Sequence, residues 1–439
     1  TLAFGFNWDS INVYDRILGE NGQHDRLGKN IASTNDSIVV SAPQAYGSGL
    51  IKIYDANTSG GGLTQTGYIY DSMDNNSQYH TAQGGWNLAA WDWLAADGEY
   101  IAFCSDREDG VVEVWNISDQ SAMTNSTLHK CIYGKDRAAD QTDADRMQPN
   151  SWGTSGDLKG NYLAIGDREY KMPPKVNPGF PYPGQLYHGK VWVFDISTGG
   201  VTDPTLLYTI ERPDALGDQE AMYFGSSISI SSSGLMAVSA PKFDLYGNGQ
   251  GGRAFIYNVA DGSFVKFIDI SQADILPSTG DNRLPGDQPN SIKLSDDGST
   301  LAVGDRMAKT AGNARGIVSV YNVSDGSRLH TVKAQTYSSE TNTKWGEQVD
   351  LSSDGAYLLF SAIDMGNNDE GKVYFSKTDG SNFSGGSNTW ELSGPSTDAA
   401  FGSAVHFSSD KVFTSSSPTM HLYYYCLLYT SDAADESRG

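Results

Sequence analysis

Three Asp–Arg steps recur along the chain, Asp106–Arg107, Asp167–Arg168 and Asp305–Arg306, each closing a short apolar run. Brought to the same level around one axis, they would form a partial ring of guanidinium–carboxylate pairs. Such pairs either brace neighbouring units or hold a cation ready for a ligand, so Arg107, Arg168 and Arg306 are candidate ligand-binding residues. The long stretch Asp167–Gly189 sets Tyr170, Phe180, Tyr182 and Tyr187 among prolines, and Asp71–Trp86 adds Tyr79, His80 and Trp86. Proline lowers the entropy lost when aromatics are presented to a partner, which suits a recognition surface; the competing reading is a loop folded back as a cap. Two acidic loops complete the inventory. Asp364, Asn367, Asp369 and Glu370 supply oxygens of the kind a calcium ion collects, and Asp136, Asp140, Asp143 and Asp145 form a second group. A hard cation needs six to eight such ligands, so a solvated turn competes with a metal site in both loops.

Catalytic motifs are sparse. The histidines, His24, His80, His129, His188, His330, His406 and His421, show no metal-ligand spacing. There is no G-x-S-x-G elbow and no phosphate-cradling loop. Carboxylates are plentiful, which leaves open a hydrolase or lyase site assembled from distant segments.

The formal charge of −23 excludes a nucleic-acid partner, because phosphate binding needs a basic footprint. No apolar run approaches the roughly 18 residues of a membrane span. The sequence starts at Thr1 with no visible signal peptide, and is expected to be part of a longer chain. Residues 426–439, from Cys426 (CLLYTSDAADE), read like a translated sequencing adapter and are set aside as a non-native tail. Sequons at Asn35, Asn57, Asn75, Asn116, Asn125, Asn322 and Asn382 are compatible with an extracellular or cell-surface protein.

The elements that would position these residues come from a repeat. Short apolar runs end in a small residue at Ser41, Ser105, Gly166, Ser239, Gly304, Ser361 and Ser415, spaced 54 to 73 residues apart. A period near ~60 sustained this long is a repeat architecture. An apolar–Gly pair precedes most marks: Leu27–Gly28, Trp152–Gly153, Phe224–Gly225, Trp345–Gly346 and Phe401–Gly402, with Trp91–Asp92 and Pro289–Asn290 as departures. Each unit reads as four strands, A to D, with polar A–B turns such as Asp97–Gly98 and Asp354–Gly355, and C strands such as Val111–Trp115 and Ala254–Tyr257. Met420–Tyr425 supplies a last strand C, and Ile11–Ile17 lies where its strand D belongs. The expectation is an all-β, seven-bladed β-propeller of four-stranded antiparallel blades over residues 1–425, its last blade closed by the N-terminal strand. Cys104 and Cys131 would then sit two strands apart in the second blade, about 9–10 Å, beyond disulfide reach; both are expected as buried thiols.

The segments FGSSISISSSGLMAVSAP, WGEQVDLSSDGAYLLFSA and FGSAVHFSSDKVFTSSSP resemble FG-GAP repeats, the blade motif of integrin α-subunit head domains. The likeness covers about residues 4–425 and is loose in the second and fifth units. It implies a non-enzymatic, extracellular adhesion or recognition role, with a protein or glycan bound through the B–C and D–A loops. In many such repeats the A–B loop is an Asp-x-Asp-x-Asp-Gly calcium loop; here Asp296 and Asp297 are adjacent and Asp354–Gly355 offers one carboxylate, so the resemblance carries no calcium to this position. No other cofactor is implied. The alternatives are a carbohydrate-active propeller enzyme with carboxylates at the channel mouth, or a structural spacer in a larger surface protein.

Overall fold

Apolar residues alternating at a period of two, cut by Asp–Gly and Ser–Gly steps, favour short strands joined by tight turns. In the computed structural model the described residues are 13–18, 27–43, 49–56, 63–70, 92–106, 110–118, 128–134, 152–170, 188–211, 222–243, 251–270, 287, 290–310, 313–314, 316–333, 343–365, 370–380, 390–394, 400–408, 411–416 and 421–426. They form seven four-stranded antiparallel sheets and one short hairpin, Lys309–Thr310 with Asn313–Ala314.

Six sheets are continuous in sequence, with strands A to D in order. Blade 1 is Ile31–Ser33, Ser37–Ala42, Leu50–Asp55 and Gln65–Tyr70; blade 2 is Leu94–Asp97, Tyr100–Asp106, Val111–Asn116 and Leu128–Tyr133. Blade 3 is Trp152–Lys159, Tyr162–Asp167, Lys190–Gly199 and Pro204–Glu211; blade 4 is Ile228–Ile230, Leu235–Ala240, Arg253–Asn258 and Phe264–Asp269. Blade 5 is Ile292–Leu294, Thr300–Asp305, Ile317–Asn322 and Arg328–Lys333; blade 6 is Trp345–Leu351, Tyr357–Ala362, Lys372–Lys377 and Trp390–Ser393. The remaining sheet is composite: Val405–Ser408, Lys411–Ser415 and His421–Cys426 take Val13–Leu18 as their fourth strand. The A strands of successive blades touch in a closed cycle that returns from the composite blade to blade 1. They surround a central channel, and the apolar clusters lie between adjacent blades. One holds Trp93 and Val112 of blade 2 with Leu163 and Trp192 of blade 3.

The repeat marks have a physical reason to be Ser or Gly. The hydroxyls of Ser41, Ser239, Ser361 and Ser415 each accept a backbone N–H from their own blade, at Gln348 within strand A and at Asn30, Ser227 and Ala404 immediately before it. Ser415 also donates to the carbonyl of Gly28 in blade 1, tying the composite blade to the first. At Gly304 a Cβ would stand 2.1 Å from the carbonyl oxygen of Gly346 in the next blade, so that contact excludes any side chain. Blade 2 needs a correction: the residue in the position of Ser239 is Cys104, paired with Val112, while Ser105 falls at a bulge before Asp106. A second correction concerns the tail: strand C of the composite blade runs one residue further than expected, with Cys426 opposite Lys411. Cys104 and Cys131 are buried on strands that flank strand C of blade 2, and no disulfide joins them.

The outer strands carry a feature that the alternation does not announce. Opposite the aromatic of strand C, strand D inserts one residue: Thr66, His129, Leu207, Val265 and Leu329 in blades 1 to 5. The N-terminal strand does the same at Tyr14, between the partners of Tyr425 and Tyr424. A bulge adds local twist and blunts an open edge against pairing with other chains. In blade 4 it also brings Phe264 and Phe267 onto one face, where their rings stack 6.4 Å apart and are exposed.

Candidate functional site

Because strands alternate in direction, the B–C and D–A connections share one end of the channel and the tight A–B turns mark the other. At the long-loop end the Arg306 guanidinium lies 3.2 Å from Asp287, which precedes blade 5, and 3.2 Å from Glu347 on strand A of blade 6. Burial pushes the Glu347 carboxyl up, and Arg306 offsets this only in part. Burial works against the Arg306 cation as well, but Glu347 and Asp287 outweigh it and raise its pKa. Arg168 reaches the same place, donating to the carbonyl of Asp287 at 3.4 Å and lying 3.7 Å from Glu169. The structure thus brings Arg168 and Arg306 together around Asp287 as braces between blades.

Tyr170 is not on the surface. It is buried edge-on against Trp192, 5.6 Å between centroids, with the Lys190 ammonium 4.8 Å from its ring. Its expected place among exposed aromatics is corrected: the start of the loop folds inward because the ring fills an apolar gap beside blade 3. Asp364 is engaged by Lys344 at 2.8 Å, and the Glu370 carbonyl accepts the N–H of Phe401. Among the described residues no group of three or more His, Cys, Asp or Glu could hold a metal ion. Tyr79, Trp86, Arg107, Asp136, Asp140, Asp143, Asp145, Phe180, Tyr182, Tyr187, Asn367 and Asp369 lie outside the described residues.

Deeper in, the channel carries a belt that motif reading missed. Strand registers place Ala32, Ala95, Asp157, Ser229, Lys293, Asp350 and His406 at the same position of successive A strands. Several reach forward to cap the next blade. Asp157 accepts the N–H of Ile230, Ser229 that of Leu294, and Asp350 that of Phe407. Asp350 is the most heavily used. One oxygen accepts the N–H of Leu351 and faces Lys293 at 3.6 Å; the other accepts from Phe407 and lies 3.0 Å from Nδ1 of His406. Burial opposes its charge, but Lys293, His406 and the Phe407 amide hold its pKa at about 2. The His406 Nε2 lies 2.7 Å from the Ser33 hydroxyl in blade 1. At Asp157 burial outweighs the Lys293 and Lys159 cations and the amides of Ile230 and Leu158, and pushes its carboxyl up.

Two side chains cross the channel. The Lys159 ammonium bridges Asp97 of blade 2 at 3.1 Å and Asp296 of blade 5 at 2.9 Å, and Asn290 donates to Asn30 from blade 5 to blade 1. The signal that could have found the belt is the column obtained by stacking the A strands, where polar and charged types gather at one position between apolar neighbours.

The four-stranded antiparallel sheets and the closed cycle of their inner strands define the class: an all-β β-propeller. A solved structure described as the Dos1 propeller aligns over 90% of this chain and 76% of its own, at 13% identity and a TM-score of 0.46. A likeness that weak adds nothing to the strand topology. No family model matches the chain, and neither does any curated protein.

Proposed function

We propose that the chain is a recognition propeller of FG-GAP type, extracellular or displayed at the cell surface, which binds a protein or glycan without cleaving it. Its binding face is the long-loop end, where Phe180, Tyr182, Tyr187, Tyr79, Trp86 and Arg107 are the proposed contacts. What supports this reading is the bracing between blades at that end of the channel: Arg306 clamps Asp287 to Glu347, and Arg168 donates to the Asp287 carbonyl. A braced base under long connections is how loop recognition sites are commonly mounted. The charge of −23 favours a neutral or cationic partner.

The test is a glycan and protein array probed with the wild-type chain and with a variant whose residues 171–187 are replaced by a Gly-Ser linker. The expected result is a wild-type ligand lost in the variant at unchanged thermal midpoint. A rival reading, a carbohydrate hydrolase or lyase, draws on the raised carboxyl of Glu347 facing Asp287 across one guanidinium. Polysaccharide cleavage by the wild type that disappears in Glu347→Gln would replace the recognition reading with that one.

A further inference from the structure

Asp350, His406 and Ser33 meet from three blades at one level of the channel, with contacts of 3.0 Å at Nδ1 and 2.7 Å at Nε2 of the imidazole. A neutral ring that donates from Nδ1 to the carboxylate turns the lone pair of Nε2 toward the hydroxyl, so Ser33 donates to it. An acceptor on a serine oxygen, itself oriented and charge-compensated by a buried carboxylate, is the arrangement that activates serine for attack on a carbonyl. Such a triad is recognised by geometry and not by sequence position. We propose that Ser33 is a nucleophile for small acyl esters, with His406 as its general base and Asp350 holding the imidazole. This centre lies at the tight-turn end of the channel, because Ser33 ends strand A just before the Thr34–Ser37 turn. It is therefore separate from the proposed recognition face and does not depend on it.

Three further observations support it. Asp350 is fixed by contacts to both oxygens, so its rotation is set before His406 is counted. The imidazole is not sealed off: the His406 side chain is 16% exposed, against 5% for Asp350. The third observation concerns the backbone of Ser33. Thr34 pairs with Ser37 and Asn30 with Ser41, so alternation turns the Ser33 N–H away from strand B, toward the channel. The matching N–H groups of Ile230, Leu294 and Phe407 each donate to a side chain of the preceding blade. At blade 1 the preceding side chain is His406, which meets the Ser33 hydroxyl instead. Among the described residues no side chain takes the Ser33 N–H, which leaves it beside the hydroxyl to donate to a developing oxyanion.

In the proposed step the Ser33 oxygen bonds to the acyl carbon of an ester while its proton passes to Nε2. The bond to the alcohol oxygen then breaks and the alcohol leaves with that proton. Water attacks the acyl-serine by the same route, releasing the carboxylic acid and restoring Ser33.

The experiment is labelling of the full chain with a fluorophosphonate probe, adduct mapping by peptide mass spectrometry, and hydrolysis of p-nitrophenyl acetate. The expected result is an adduct on Ser33 and an esterase rate that falls at least about 100-fold in Ser33→Ala and about tenfold or more in His406→Gln and Asp350→Asn. Ser33→Ala removes one oxygen from a half-buried site, and circular dichroism verifies its fold; if Asp350→Asn does not fold, His406→Gln carries the same test. A folded wild type with no adduct on Ser33, or a Ser33→Ala variant that hydrolyses the ester at the wild-type rate, overturns the proposal and leaves the three residues as a tie between blades.

Discussion

Gly189 shows how little room separates one blade from the next. Its φ is +83°, and a Cβ there would lie 1.9 Å from the carbonyl oxygen of Phe224. Gly234 has a similar φ of +87° but nothing within 4 Å. Replacing each by alanine separates strain from collision. Gly234→Ala is expected to cost about 1–2 kcal/mol, and Gly189→Ala clearly more, above about 3 kcal/mol, both read from urea denaturation. Asp350 gives a pH signature. Its folded-state pKa of about 2 lies below the ordinary 3.8, so its contribution is complete above roughly pH 4 and is lost as pH falls toward 2. The shift corresponds to roughly 2 kcal/mol. Asp157 has the opposite sign, because its raised carboxyl takes up a proton more readily in the folded protein. Denaturant midpoints measured from pH 5 to 2 should therefore flatten in Asp350→Asn and steepen in Asp157→Asn. At this scale the sequence was readable only in part. The Asp–Arg steps singled out Arg306, but not its partners Asp287 and Glu347, which belong to no such step; His406 lies 373 residues from Ser33, and no local motif can join them.

Strands B and C were legible because each is a short run rich in apolar residues that ends at a turn signal, as in Leu235–Ala240 and Arg253–Asn258. The D-strand bulges were not, since the inserted residues (Thr66, His129, Leu207, Val265 and Leu329) share no side-chain chemistry. What they share is a position opposite an aromatic. The Ser105 mark failed for the same reason: a bulge at the end of strand B moved the equivalent position to Cys104. Deleting Val265 would restore the period of two and move Phe264 away from Tyr257, now 5.8 Å from it between ring centroids. The expected loss is about 1–2 kcal/mol in chemical denaturation, while Val265→Ala, at an exposed position, stays within about 0.5 kcal/mol. Equal effects from the two changes would remove the bulge from any role in packing.

The molecule as a whole depends on Val13–Leu18 pairing with His421–Cys426. A variant lacking residues 1–18 would leave strand C of the composite blade as an open edge. It should melt earlier and form oligomers by size-exclusion chromatography, and a peptide spanning residues 11–18 added in trans should raise its midpoint in a concentration-dependent way. A truncated chain that stays monomeric with the wild-type midpoint would show the clasp to be dispensable. The period and the tight turns made the ring readable in outline, while the channel belt emerged only once strand registers were known. The clasp also sets a timetable for biosynthesis. Val13 and its partner Tyr425 are about 410 residues apart, and at about 5–20 residues per second a ribosome needs roughly 20–80 s to span that distance. Val13–Leu18 is made before the six continuous blades and waits through their completion for the strand it pairs with.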